Sequence, residues 1–506
     1  MAGSFSRRNF LQSASAAGSF GLLGSSWLAQ LPAVSAEETK PNPHSVQFTS
    51  DIEPIVQLLE NTSQDKVLEE VASRIKKGTV NYQQVVTALQ LAGIRNVQPR
   101  PAVGFKFHAV LVVNSAHLAS LASPDEHRWL PIFWAIDSFK SSQAKDVTEG
   151  NWTMPPVKDG KLPAPHEARE QLVQSLDKWD EEPADIAAAV FARTASAGEI
   201  FEVLSRYASR DFRAIGHKII YVANAFRALE VMGWQHAEPV VRSLVYAMLN
   251  FEGDKNPAEN DYDADRPYRE NQKRIGAIRM DWQDGKVDEG ATKELLATFR
   301  KAKPGECCEV VVQMLNQGVS PQSIWDGMFV CGGELLMRQP GIVGLHTLTT
   351  SNAMHYAYQR AQLDETRRLL LLQNAAFLPM FRDAMVRRGK LSDAELLKLE
   401  PAEKSSANLD DIFAKVSSDR DAAARATLAY AQDSSNADEF IRRARLLVFL
   451  KGRDAHDYKF SSAVIEDYRH ISPAWRDHFL AASVYNLRGS SDRDSGVLKR
   501  TQQALS

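Results

Sequence analysis

Four times along this chain a histidine leads into an apolar run with helical spacing. His108 opens Ala109-Val110-Leu111-Val112-Val113, and His217 opens Lys218-Ile219-Ile220-Tyr221-Val222. His346 opens Thr347-Leu348-Thr349, and His456 opens Asp457-Tyr458-Lys459-Phe460. The separations are 109, 129 and 110 residues. Around each histidine the pattern predicts the same order: helix, glycine, helix, short linker, histidine helix, turn, apolar helix. Each segment holds one strongly apolar helix that cannot be buried alone, so neighbouring segments must stack on one another. Strand signals are sparse, with few alternating Val/Ile/Thr runs and no Asn-Gly hairpin turns. The expected fold class is all-α: a helical-repeat array or toroid of about four units, each of about four helices.

Breaks in the pattern give the expected boundaries. Unit one covers 65–165, unit two 166–304 with an acidic insert after Glu252, unit three 305–404 and unit four 405–490. A polar stretch with Pro41 and Pro43 makes 37–64 an expected exposed arm, and the polar end 491–506 an expected disordered tail. Residues 1–36 read as an address. Ser6-Arg7-Arg8-Asn9-Phe10-Leu11 has the form of a twin-arginine export signal, and Val34-Ser35-Ala36 offers small residues at a cleavage position. The expectation is recognition by the twin-arginine translocase and a periplasmic or otherwise exported protein, cleaved after Ala36. That route carries chains folded beforehand, which raises the expectation of a bound metal or organic cofactor.

Composition removes several function classes. A net charge of −3 over 506 residues, without long basic runs, argues against nucleic acid as a partner. No run of some twenty apolar residues suggests a span in the mature chain. Three cysteines, Cys307, Cys308 and Cys331, cannot make a disulfide framework and are expected as small buried residues. No Gly-x-Gly-x-x-Gly follows a strand, and no His-Glu-x-x-His or paired-cysteine motif is present.

The four histidines are therefore the candidates for chemistry. His217 and Asn224, seven residues apart, share a helix face with Tyr221 between them. Asn114 and Asn352 follow their histidines by six residues, as do the second histidines, His117 and His355, by nine. Asp454 and Lys459 flank His456. Two chemistries stay open for imidazoles that converge. They hold Zn, Cu, Fe or Ni as neutral ligands, or they act as acids and bases near neutral pH. Catalytic candidates are His108, His217, His346, His456 and Tyr221. Binding candidates are Asn114, Asn224, Asn352, Asp454 and Lys459. The same four histidines are the metal candidates. Asp137, in an apolar helix, is either a perturbed acid or a structural hydrogen-bonding group.

These short motifs resemble the questin oxidase-like proteins: His108 after Phe107, His217 before Ile220 with Glu230 further on, His346-Thr347-Leu348-Thr349, and Asp454-Ala455-His456 with Lys459. The resemblance spans about Asp65 to Leu487. It implies a largely helical fold and an oxidoreductase, since founding members are linked to oxidative ring opening of anthraquinone-type metabolites. It further implies His108, His217, His346 and His456 as site residues and points to NADPH without fixing a cofactor, while a transition metal is the expectation from the histidines themselves. His117, His355 and the insert from Glu252 to Asp284 depart from the pattern. The expected function is an oxidoreductase acting on a hydrophobic or aromatic small molecule in a histidine-lined pocket. The alternatives are a metal-binding protein using the same histidines, or a non-catalytic helical-repeat scaffold.

Overall fold

Apolar periodicity translates into helices throughout. The computed structural model describes residues 45–506 except 101–105, 252, 254, 404–407 and 433–435. The export signal and the first part of the expected arm lie outside the described residues. The first helices are α1 (Glu53–Asn61), α2 (Val67–Lys76), α3 (Tyr82–Asn96), α4 (His108–Leu111), α5 (Val113–Leu121) and α6 (Leu130–Thr148). Then follow α7 (Ala168–Lys178), α8 (Glu181–Thr194), α9 (Ala197–Ala208), α10 (His217–Met232) and α11 (Ala237–Leu249). The middle of the chain forms α12 (Arg266–Arg274), α13 (Glu289–Phe299), α14 (Pro304–Asn316), α15 (Pro321–Arg338), α16 (Ile342–Arg360) and α17 (Asp364–Val386). The last are α18 (Leu409–Ser418), α19 (Arg420–Ala431), α20 (Asn436–Lys451), α21 (Ala455–His470), α22 (Pro473–Ser483) and α23 (Leu498–Leu505). Among the described residues the only β feature is an isolated bridge between Lys286 and Val319. The protein is all-α.

From His44 onward the chain forms one compact unit. Its middle is made by the histidine helices. The pair α4–α5 packs on α10, α10 on α16, α16 on α21, and α21 back on α5, so the four segments close a cycle. Burial follows from this position. Every residue of α16 from Val343 to Ala357 is buried, and α10 is buried from His217 to Phe226. A helix covered on all sides is usually apolar all round. These bury His, Asn, Thr and Lys instead, which makes the axis polar. No described helix is long and apolar enough to cross a membrane.

Two expected irregular segments are ordered and packed. In the arm, the described part contains α1, which buries Ile55, Val56 and Leu59 against α3. Arg95 on α3 pairs with both Glu53 and Glu60. In the tail, α23 sets Thr501 and Ala504 against α2 and α6, and Arg500 pairs with Asp137. Both helices are short, so burial of one face stabilises them more than propensity does. The acidic insert is tied down locally, with Asp261 and Asp263 paired to Arg266 and Arg269 on and before α12.

Candidate metal centre

Each of the four segments delivers its histidine to the same place by a different local device. His217 is the first residue of α10, after Ile215 and Gly216, both in the left-handed region at φ +43° and +83°. A β-branched residue there is a strained outlier. The sharp entry turns the His217 ring back, so that Nδ1 donates to the Ala214 carbonyl at 2.7 Å. His346 lies one turn inside α16, which starts at Ile342 rather than at the histidine because Gly341 (φ +143°) ends the preceding loop. Its Nδ1 donates to the Ile342 carbonyl at 2.6 Å. His456 is the second residue of α21. Asp454 caps that helix by accepting from the His456 backbone N–H at 2.7 Å, and the same carboxylate oxygen faces His456 Nδ1 at 3.2 Å. His108 begins α4, a single turn that ends at Val112 before α5 starts.

The rings meet in chain order. Ring centroids are 4.7 Å apart for His108–His217, 4.5 Å for His217–His346, 5.2 Å for His346–His456 and 4.5 Å for His456–His108. One ring nitrogen from each lies within 4.8 Å of the other three, and all four residues are buried. His217 Nε2 stands 3.0 Å from Nε2 of both His108 and His346. Two nitrogens bound to one ion at about 2.0–2.1 Å stand about 2.9 Å apart at a right angle and about 3.3 Å apart at the tetrahedral angle. The spacing is that of ligands on a common centre.

Protonation points the same way. For His217 and His346 the Nδ1–H is committed to a backbone carbonyl, which leaves the Nε2 lone pair directed inward. Burial pulls the pKa of His108, His217 and His346 well below the ordinary imidazole range, and Lys459 and the neighbouring imidazoles add to this. Burial lowers His456 too, with Asp454 opposing. The lone pairs that His217 and His346 direct at each other across 3.0 Å repel unless a cation lies between them. The donor set, four uncharged imidazoles with carbonyl or carboxylate partners behind three of them, fits a first-row transition metal.

The remaining candidates separate into those at the centre and those elsewhere. Lys459 lies one turn along α21 from His456. Burial brings its amine down to about 7, and its charge is felt by all four imidazoles. Its Nζ has no hydrogen-bond partner among the described residues. The three asparagines form a second tier two turns from the histidines. Asn224 donates to the Leu111 carbonyl, which the break between α4 and α5 leaves open. Asn352 donates to Asp467 at 2.8 Å and to Glu466 at 3.1 Å. Asn114 lines the same axial space. Arg227, Glu466 and Asp467 complete this tier and were not anticipated. Arg227 holds Glu466 through two hydrogen bonds of 2.6 and 2.7 Å and reaches both Asn224 and Asn352. A charged residue inside a buried helical run is the signal that could have shown them.

Tyr221 does not join the centre. Its hydroxyl donates to Ser243 on α11 at 2.8 Å and its ring meets the edge of Phe107, so it is spent on packing. His117 bonds to the Tyr82 hydroxyl, and His355 sits against Trp325 and His470; both lie outside the cluster. Asp137 is structural, bonded to Gln64 and Arg500. The three cysteines are free and buried. Among the described residues no strand–turn–helix unit exists to cradle a dinucleotide in the Rossmann manner.

A cleft of about 610 Å³ reaches the cluster at His108. Trp134, Asp454, Lys106 and Ser142 line it. Trp134 is stacked on Tyr458 with centroids 4.4 Å apart. Lys106 is anchored by Asp146 at 2.7 Å and Glu149 at 3.0 Å.

The entry turn at Gly216 gives a direct test of positioning. A Cβ there would lie 2.0 Å from Thr350 Oγ1, on a backbone that disfavours side chains. Gly216→Ala is expected to cost about 2–4 kcal/mol, from overpacking and strain together, and to weaken metal retention by displacing His217. Urea unfolding and metal content of the same preparation check both effects. No family model, no curated protein and no solved structure matches this chain.

Proposed function

We propose that the protein is a metal-dependent oxidoreductase in which His108, His217, His346 and His456 hold one first-row transition-metal ion. The observation that carries this reading is the convergence of four buried, neutral imidazole nitrogens within 4.8 Å. A bound ion would supply redox or Lewis-acid chemistry at the inner end of the cleft. Four ligands fill a tetrahedral structural site, but they leave positions open on a five- or six-coordinate ion. The cleft arriving at His108 favours the second arrangement, because a purely structural ion gains nothing from access. Trp134, backed by the stacked ring of Tyr458, offers a flat aromatic wall beside that approach, suited to a hydrophobic or aromatic small molecule. Asp454 fixes the His456 ring by holding its Nδ1, while the carbonyls of Ala214 and Ile342 fix His217 and His346. Resemblance to the questin oxidase-like proteins supports the same reaction class. The twin-arginine segment supports export after the ion has been acquired.

Elemental analysis of protein purified without a polyhistidine tag tests the reading. About one equivalent of a single transition metal per chain is expected. It should be removed by a strong chelator and restored on titration with that metal. Protein that carries no metal, and binds none on titration with iron, manganese, copper or zinc, would overturn it.

A further inference from the structure

At the other end of the histidine helices lies a second and larger cavity, of about 710 Å³. It is bounded by the C-terminal parts of α5, α10, α16 and α21, with α20 along one side. Its size falls within the range of small-molecule sites. Leu118, Ala122, Ile441, Phe449 and Ile465 give it apolar walls. Toward the histidines there is only a small void of about 10 Å³ among the described residues, lined by Asn114, Asn352 and Lys459 and too small for an organic molecule. The cavity is therefore distinct from the cleft that reaches His108.

Its charges do not cancel. Four arginines line it, Arg227, Arg360, Arg445 and Arg469, against two acids, Glu230 and Glu466. Arg227 is taken by Glu466 and Arg360 by Glu230. Arg469 pairs with Asp438. Arg445 has neither a hydrogen bond nor an ion pair among the described residues, although it is half-buried. Burial, reinforced by Arg469, lowers its pKa below the ordinary arginine range, and no carboxylate acts on it in the other direction. A desolvated guanidinium without a counter-ion is costly to keep. On the wall of a cavity that cost makes sense when an anion arrives to meet it.

We propose that this cavity is a second binding site, for a small organic anion with an apolar body and one carboxylate, in which Arg445 receives the carboxylate and Leu118, Ile441 and Phe449 receive the body. Tyr356 gives the site rigidity. Its ring carries the Arg227 guanidinium at 4.0 Å and the Arg360 guanidinium at 5.3 Å, so these two are stacked as well as paired. Arg445 is the one guanidinium left to a ligand.

Titration calorimetry on the full chain with 2-naphthoate tests this, with 2-naphthylmethanol and inorganic phosphate as comparison ligands. Saturable binding of naphthoate at about one per chain is expected, weakened about tenfold or more in Arg445→Gln. Leu118→Trp, which fills the cavity without touching the charge, should weaken it as well. Chelator-treated protein should bind naphthoate unchanged, which separates this site from the metal centre. The proposal is overturned if Arg445→Gln binds naphthoate as the parent does, or if the neutral alcohol or phosphate binds equally well. Loss of naphthoate binding on chelation would also overturn it. Unchanged melting curves for both variants show that folding is not what is being read.

Discussion

His217→Ala is expected to abolish tight metal retention and the stability that comes with it. His217 is the shared neighbour in the cluster, with its Nε2 3.0 Å from both His108 and His346. Loss of an orienting partner behind a ligand already costs about 10–100-fold in metal affinity. Loss of a ligand in the middle of the set should cost at least about 100-fold by the same scale. At a free-metal concentration near 100 times the parent Kd, the ion contributes about 2.7 kcal/mol of stability, nearly all of which should disappear. Metal content after dialysis and the shift in melting temperature on adding chelator are the two readouts. His117→Ala is the matched control. It removes the same side chain from α5, outside the cluster, and loses the 2.9 Å bond and the ring contact to Tyr82. A His217→Ala protein that keeps a full equivalent of metal and the parental chelator response would sink the proposed centre.

The second large effect is a loss of stability in the metal-free protein as pH falls below 6.5. His108, His217 and His346 are held neutral by burial to well below the ordinary value. An unfolded chain protonates them near 6.5. Between that value and the depressed folded values the unfolded state binds more protons, so stability is full above 6.5 and declines below it. Each imidazole contributes a slope of about 1.4 kcal/mol per pH unit once pH is clearly under 6.5. Three together approach about 4 kcal/mol between pH 6 and pH 5. Asp467, whose carboxyl burial raises well above the usual range, works against them, as do the raised carboxyls of Asp265 and Asp326, while His355, brought down to about 3 by burial, adds to them. Lys459, with its amine brought down to about 7 by burial, has its stability change above that pH and leaves the slope below it unaffected. Urea midpoints at pH 7.5, 6.5 and 5.5, measured with chelator present, should fall steeply over the last step. Midpoints that stay level would mean the imidazoles are not held neutral. Saturating metal should flatten the upper part of the curve, because ligands on an ion resist protonation.

The helical class was legible because apolar spacing is a local signal, repeated often enough along the chain to be unmistakable. The four histidines were legible for a related reason: each stands at or near the start of a buried helix, and the separations put them at matching places. Asp454 could be read as a helix cap two residues before His456, and the structure gives it the second task of orienting that ring. The other orienting groups left no trace in the sequence, because Ala214 and Ile342 act through backbone carbonyls that every residue possesses. Tyr221 shows the limit of helix-face reasoning. On a helix buried all round, sharing a side with His217 does not mean sharing a pocket, and the phenol went to Ser243. The tail and arm were misread because α23 and α1 are short, and are stabilised by the surfaces that they cover. The histidine helices also depart from strict equivalence: the first is split at Val112, and the third begins a turn ahead of His346.

The four histidines come from segments separated by more than a hundred residues each. No stretch of chain shorter than 349 residues contains all four, since His108 and His456 delimit the set. Loop closure over such distances is slow, and His456 joins the other three only when α21 docks between α16 and α5. A nascent or truncated chain that ends before His456 offers at most three imidazoles and lacks the Asp454 that orients the fourth. Tight capture of the ion would then be a late event that certifies a finished chain, and metal content would report the fraction of molecules whose two distant ends have found each other.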